Sequence, residues 1–165
     1  MKLILTITMA AALLFPMATS AQVPDGEVIA AINSKLIPLK SLTPGDDMSD
    51  LQPLKKFLKD KTVIGLGESG HGVHEFFTFK QRLLEFLVKE MGIKVLLTET
   101  DFTGTEVMRN YTITGKGNVK DGMKAMGNVV WTTQEFIDMN DWVKNYNANL
   151  PSCHTSSNDD SQWMH

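Results

Sequence analysis

Apolar and polar residues alternate along the chain with two periodicities, and each periodicity predicts its own kind of element. One set of apolar positions repeats at helical spacing: Val73, Phe77, Leu84, Leu87 and Met91. Gly92 follows this set at the position where a helix is expected to end. On either side lie nearly continuous apolar runs, residues 62–66 and 93–98, which are typical of buried parallel strands. The predicted fold class is therefore α/β, a parallel sheet flanked by helices.

Shorter patterns predict the remaining elements. A helical segment is expected over residues 25–39, ending near Pro38, and another over residues 51–58, with a polar loop between them. Residues 105–112 and 119–126 are further short helical candidates. A longer helix is expected to open at Thr132, which has capping-box spacing to Glu135.

The amino-terminal residues have the layout of a secretory signal peptide. Lys2 provides a positive start, residues 3–15 are apolar, and small residues precede Gln22. We therefore expect residues 1–21 to be removed and the protein to be exported, periplasmic or secreted, with no stable membrane anchor afterwards. The formal charge of −3 becomes −4 without Lys2. This mild acidity argues against nucleic acid or an anionic membrane surface as a partner.

A glycine-rich turn carries the candidate chemistry. Residues 65–72 contain four glycines, Glu68 and His71, and they connect the first predicted strand to the long helix. Glu99 ends the second predicted strand, and parallel strands place their carboxyl ends at one edge of a sheet. A helix amino terminus disfavours an imidazolium, so we expect a neutral His71 flanked by Glu68 and Glu99, an arrangement suited to activating water.

Two of the cations on the long helix, Lys80 and Arg82, stand out by their position. Lys80 falls within the apolar stripe, so it is expected to pair with Glu68 or Glu99, to face a substrate oxygen, or to extend its stem along the core edge. Arg82 lies on roughly the opposite face, where solvation at the surface is the favoured interpretation.

Other assignments of these residues are weaker. Glu68, His71, His74 and Glu99 could form a metal site, although their spacing matches no strong zinc signature. Ser69 lacks the Gly-x-Ser-x-Gly pattern of a nucleophile elbow. Trp131 is interpreted as core or pocket lining. No metal or other cofactor is assigned, and we expect His74, Lys80 and Trp131 to contact the substrate.

The turn resembles the signature of the erythromycin esterase family. The resemblance runs over residues 65–77, 82–83, 98–102, 130–135 and 142–147, and covers about residues 55–149. It implies hydrolysis of a carboxylic ester or macrolide lactone, a small-molecule substrate, without a cofactor. It also implies that His71 is the catalytic histidine, that Glu68 and Glu99 are the catalytic glutamates, and that Lys80 stands where some members have arginine.

The resemblance ends near Leu150. Residues 1–21 are assigned to the signal peptide, 22–50 to an amino-terminal helix and loop, 51–149 to a partial erythromycin-esterase-like domain, and 150–165 to an unstructured tail. Family members are more than twice as long, and their later half is implied to complete the sheet and supply further histidines. The chain is accordingly expected to be a truncated member. An inactive remnant or ligand-binding fragment, and a metal-dependent hydrolase, remain the alternatives to an ester hydrolase.

Overall fold

The computed structural model describes residues 26–150, so the predicted signal peptide and most of the predicted tail lie outside the described residues. The chain divides into two units, the first of which ends at Ile37. In that unit helix α1 spans Gly26–Asn33. The expected helix is therefore present, but it ends five residues before Pro38.

The second unit, from Pro38 onward, is built from helices and extended loops. The helices are α2 (Leu54–Leu58), α3 (His74–Met91), α4 (Phe102–Thr114), α5 (Val119–Met126) and α6 (Gln134–Ala148), with a 3-10 turn at Val129–Trp131. Within residues 26–150, no helix is both long enough and apolar enough to cross a membrane.

The long helix α3 confirms the helical pattern. Gly92 ends it in the left-handed region at φ +71°, and the Ile93 N–H donates to the Leu87 carbonyl at 3.1 Å, which satisfies a carbonyl at the helix end. The end of α3 is thus set by local sequence, as expected.

Helix α3 is sandwiched between two hydrophobic clusters. Leu84 and Val88 pack with buried residues of α4, α5 and α6 in the larger cluster. Phe86 and Leu87 pack with Leu51 in the smaller one. The segment around residue 51 therefore covers one side of α3, and the last three helices cover another.

The predicted parallel sheet is wrong for the described residues: none of residues 26–150 lies in a strand. Segments 62–66 and 93–98 have no regular secondary structure, and no backbone ladder joins them within this range. Val63 and Leu97 are each 86% exposed, whereas strands of a parallel sheet are buried on both faces. An apolar run records a tendency to be buried, but a strand also needs neighbours that accept its hydrogen bonds.

The predicted surface position of Arg82 is also wrong. Its side chain is fully buried, because residues 41–50 fold over that face of α3. The guanidinium donates to the carboxylate of Asp50, at 2.6 and 3.2 Å, and to the Ser41 carbonyl at 2.8 Å. It also donates to the Asp47 carbonyl. Arg82 thus ties this loop to the helix that carries Lys80.

Candidate active site

The Glu68 carboxylate is shared by the two side chains predicted to work with it. His71 Nδ1 lies 2.8 Å from Glu68 Oε1, and the Lys80 ammonium donates to Oε2. The three side chains differ in exposure: 10% for Glu68, 19% for Lys80 and 66% for His71. A shielded carboxylate is thus held by a cation on one side and faces an exposed imidazole on the other.

This contact determines how the His71 ring is used. An ionised carboxylate only accepts hydrogen bonds, so the Nδ1 atom must carry the proton that joins the pair. In the neutral ring the lone pair then lies on Nε2. Because the side chain is largely exposed, Nε2 is available to a molecule from solvent. The turn therefore presents an oriented acceptor of protons.

The Lys80 ammonium faces an aromatic ring as well as the Glu68 carboxylate. Its ammonium lies 5.9 Å from the centre of the Phe77 ring, one turn earlier on α3. Burial lowers the pKa of Lys80, since a less hydrated site disfavours the charged form. Among the positions that the sequence left open, the structure shows the pair with Glu68. A contact between Lys80 and a substrate oxygen stays a prediction.

Glu99 is placed differently from expectation. Within residues 26–150, its exposed carboxylate has no hydrogen-bond or ion-pair partner, and therefore none with Glu68, His71 or Lys80. The argument from a shared sheet edge does not hold, because the described residues form no sheet. What anchors Glu99 is its backbone: its carbonyl accepts a 3.1 Å hydrogen bond from the Trp131 indole Nε1.

His74, the second histidine of the region, pairs with a helix that the sequence argument did not connect to it. Its Nδ1 lies 2.5 Å from Glu135 Oε1 in the first turn of α6. The hydrogen bond to Glu135 raises the pKa of His74, and the same bond lowers the pKa of Glu135. The pair joins the amino-terminal ends of α3 and α6.

Trp131 packs between helices, as expected for a lining or core residue. Its ring meets Phe77 edge-on at 6.1 Å between centroids, with an interplanar angle of 88°. On its other side it lies 5.0 Å from the Phe136 ring of α6. Together with the indole bond to Glu99, these contacts place Trp131 between α3, α6 and the segment that carries Glu99.

The four residues considered as a metal site are not gathered in one place. His71 pairs with Glu68, whereas His74 pairs with Glu135. Among residues 26–150, no group of three or more histidine, cysteine or acidic side chains is arranged to hold a metal ion.

A cavity elsewhere in the second unit does not coincide with the candidate site. It lies between α4, α6 and residues 96–98, and half of its ten lining residues are apolar, among them Met108, Phe136 and Val143. Neither His71, Glu68, Lys80 nor Glu99 lines it. The candidate chemistry therefore stands on an open turn.

Sequence reasoning missed the role of Glu135. We assigned it to a capping box with Thr132, but the cap of α6 is Thr133, whose hydroxyl accepts from the Phe136 N–H at 3.3 Å. The Glu135 carboxylate instead binds His74, 61 residues earlier in the chain. Residues 130–135 were among the blocks of the family resemblance, and this was the one signal that pointed to the region.

Comparison with known proteins gives relatives over part of the chain. No protein-family model matches it. It is 34% identical over 86 residues to erythromycin esterase type II of Escherichia coli, which is 52% of this chain and 20% of that protein. It is also 34% identical over 97 residues to YbfO of Bacillus subtilis (strain 168), named provisionally as a hydrolase, covering 58% of this chain and 21% of that protein.

Two solved structures resemble the described fold. A succinoglycan biosynthesis protein aligns with a TM-score of 0.73 and 37% identity, over 82% of this chain and 33% of its own. A Bacillus cereus protein aligns with a TM-score of 0.73 and 31% identity, over 87% of this chain and 32% of its own. The chain thus spans about a fifth of the length of the curated relatives and a third of the solved ones.

Proposed function

We propose that this chain, whose resemblance to the erythromycin esterase family is confirmed over about half its length, hydrolyses a carboxylic ester or lactone with water activated by His71. The hydrolase names of the two curated relatives support the reaction class. The observation that carries the proposal is the Glu68 carboxylate, which binds His71 Nδ1 through one oxygen and Lys80 through the other.

The proposed reaction starts at Nε2 of the oriented His71 ring. Nε2 takes a proton from water while the water oxygen attacks the carbonyl carbon of the ester, and a tetrahedral intermediate forms. Its collapse breaks the bond to the leaving oxygen, which receives the same proton from Nε2. The products are a carboxylic acid and an alcohol, which in a lactone remain on one molecule.

Glu68 and Lys80 act on the ring rather than on the bond that breaks. The ionised Glu68 carboxylate stabilises the imidazolium that forms when Nε2 is protonated, as the carboxylate does in a hydrolytic triad. Lys80 fixes the second oxygen of that carboxylate and therefore the plane in which it meets His71. Glu99, whose carboxylate is exposed, is proposed to assist from the substrate side.

The test compares two histidines of the same exposure. His71 and His74 are each 66% exposed and each pairs with a carboxylate, so His71→Gln and His74→Gln are matched changes. We expect His71→Gln to lower kcat for a simple aryl ester about 100- to 10,000-fold, the usual worth of a general base, and His74→Gln to lower it far less. Equal losses in both variants, or full activity of His71→Gln, would contradict the proposal.

A second candidate, an inactive remnant, is favoured by the openness of the turn. His71 is 66% exposed, whereas sites for small molecules are usually concave and bury most of the ligand. Under this alternative, a macrolide would leave the NMR signals of His71 unchanged and no product would appear by mass spectrometry.

A further inference from the structure

The segment that precedes Glu99 does not by itself fix the position of that residue. Glu99 follows residues 93–98, which have no regular secondary structure and pair with no strand within the described part of the chain. In a sheet, the ladder of backbone hydrogen bonds would fix the end of such a segment. Here the fixing groups must be side chains of other elements.

Side-chain hydrogen bonds hold both residues of the Glu99–Thr100 peptide. The Trp131 indole donates to the Glu99 carbonyl at 3.1 Å. The Thr100 hydroxyl donates to the carbonyl of Met126, the last residue of α5, at 3.1 Å. The Trp131 bond is the one that also leads to the candidate active site.

The path from Trp131 to that site runs through Phe77. The edge of one ring meets the face of the other at 88°, a favourable geometry for aromatic pairs. Phe77 is 5% exposed and lies under the Lys80 ammonium at 5.9 Å. One side chain therefore contacts both the backbone of Glu99 and the residue that supports Lys80.

We propose that Trp131 is a positioning residue, which holds Glu99 in register with Lys80 and Glu68 through its indole N–H and its contact with Phe77. This inference rests on the proposed function, and it replaces our expectation that Trp131 binds substrate. The indole N–H is bonded to the Glu99 carbonyl, and the ring packs against Phe77 and Phe136. A misplacement of about 1 Å caused by a substitution far from the chemistry can cost about 100-fold in rate.

The first measurement needs no variant. Trp142 stacks on Tyr146 at 5.2 Å, and its indole N–H has no hydrogen-bond acceptor among residues 26–150, so it is the internal reference. We expect the Trp131 indole proton to exchange with solvent about tenfold more slowly than that of Trp142 in the wild-type chain. Trp131→Phe and Trp142→Phe assign the two signals. Equal exchange rates would overturn the inference.

The second measurement separates positioning from substrate binding. Trp131→Phe keeps an aromatic ring but loses the N–H, so we expect faster exchange of the amides of residues 98–101 and a kcat about 10- to 100-fold lower with KM little changed. Trp142→Phe should change none of these quantities. A higher KM with unchanged kcat would show that Trp131 contacts substrate and would overturn the inference.

The two proposals fail in different ways. A protected Trp131 indole, with faster amide exchange in Trp131→Phe but no turnover by any form of the chain, would refute the ester hydrolase and keep the positioning role. Turnover that depends on His71, together with an unprotected Trp131 indole, would refute the positioning role and keep the ester hydrolase.

Discussion

Arg82 offers the sharpest test of what holds the candidate site in place. We consider its replacement by methionine, which keeps much of the stem and removes the guanidinium. The Arg82 side chain is fully buried and that of Asp50 is 1% exposed. Removing the cation leaves the carbonyls of Ser41 and Asp47 without this donor. The buried Asp50 carboxylate keeps the Lys40 N–H at 2.8 Å but loses its counter-charge.

The expected loss in the free energy of unfolding follows from the charge and the carbonyls that stay buried without the guanidinium. Removing one partner of a buried ion pair costs about 3–5 kcal/mol, since the other charge stays buried without compensation. A domain has a free energy of unfolding of about 5–15 kcal/mol, so Arg82→Met should lose a large part of it. A double variant that also carries Asp50→Leu should be more stable than Arg82→Met alone, because no charge is then left buried.

Urea denaturation followed by circular dichroism measures these differences. The control is Lys55→Met, which breaks a 2.6 Å ion pair with Glu90 on the same helix α3. Both side chains of that pair are about 40% exposed, at 40% and 38%, so only a small loss is expected. If Arg82→Met were no more destabilising than Lys55→Met, the account of Arg82 as a buried tie would be refuted.

The same pair predicts sensitivity to acid. The hydrogen bonds from Arg82 hold the pKa of Asp50 well below its usual range. A lowered pKa in the folded state stabilises it above the unfolded value of about 3.9, and this stabilisation is lost as the pH falls through that value toward the folded pKa. Stability should therefore drop less steeply below pH 4 in Arg82→Met than in the wild type.

Three further predictions concern the helices and their polar contacts. A Cβ added at Gly104 would lie 2.5 Å from the carbonyl carbon of Ala125, so Gly104→Ala should lower the free energy of unfolding by about 1–3 kcal/mol in urea denaturation. The raised pKa of His74 should fall in Glu135→Gln, as NMR titration would show. The pair with Glu135 stabilises the folded state fully below the unfolded pKa of about 6.5, and this stabilisation is lost as the pH rises through the folded pKa. Burial and the bond to Asp141 raise the pKa of Tyr111, so its ultraviolet titration should occur above about pH 10.

Each of these predictions has its own control. Gly26→Ala adds a Cβ that meets nothing within 4 Å, so a loss as large as that of Gly104→Ala would contradict the packing argument. Glu75→Gln removes the other carboxylate that raises the pKa of His74, by a weaker charge effect, and should shift it less than Glu135→Gln. Removing the bond with Asp141→Asn should bring the titration of Tyr111 to lower pH.

Local sequence was enough to predict most of the helices. The long helix α3 ends at Gly92 and α5 spans residues 119–126, as the periodicity indicated. Both have an apolar stripe and end at a glycine with positive φ, and α5 is also capped by Asn118. These signals are contained in the segment itself.

The wrong predictions concern contacts between distant segments. The prediction of strands was wrong because strand pairing depends on a neighbouring strand and not on the apolar run itself. The prediction of an exposed Arg82 was wrong because the helical pattern of α3 cannot show that residues 41–50 cover the face on which Arg82 lies. The bond of Glu135 to His74 spans 61 residues, so no local pattern could reveal it. The contact between Glu68 and His71, three residues apart, could be anticipated for the opposite reason.

The 66% exposure of His71 has a consequence for substrate choice under the proposed function. An enzyme rejects a wrong substrate through walls that clash with it or polar groups left unpaired by it. The described residues put no such enclosure around Nε2. Rates of hydrolysis across a series of esters should then follow the acidity of the departing alcohol more closely than its bulk. An activated aryl ester and a large-ring lactone of similar reactivity should be hydrolysed at similar rates.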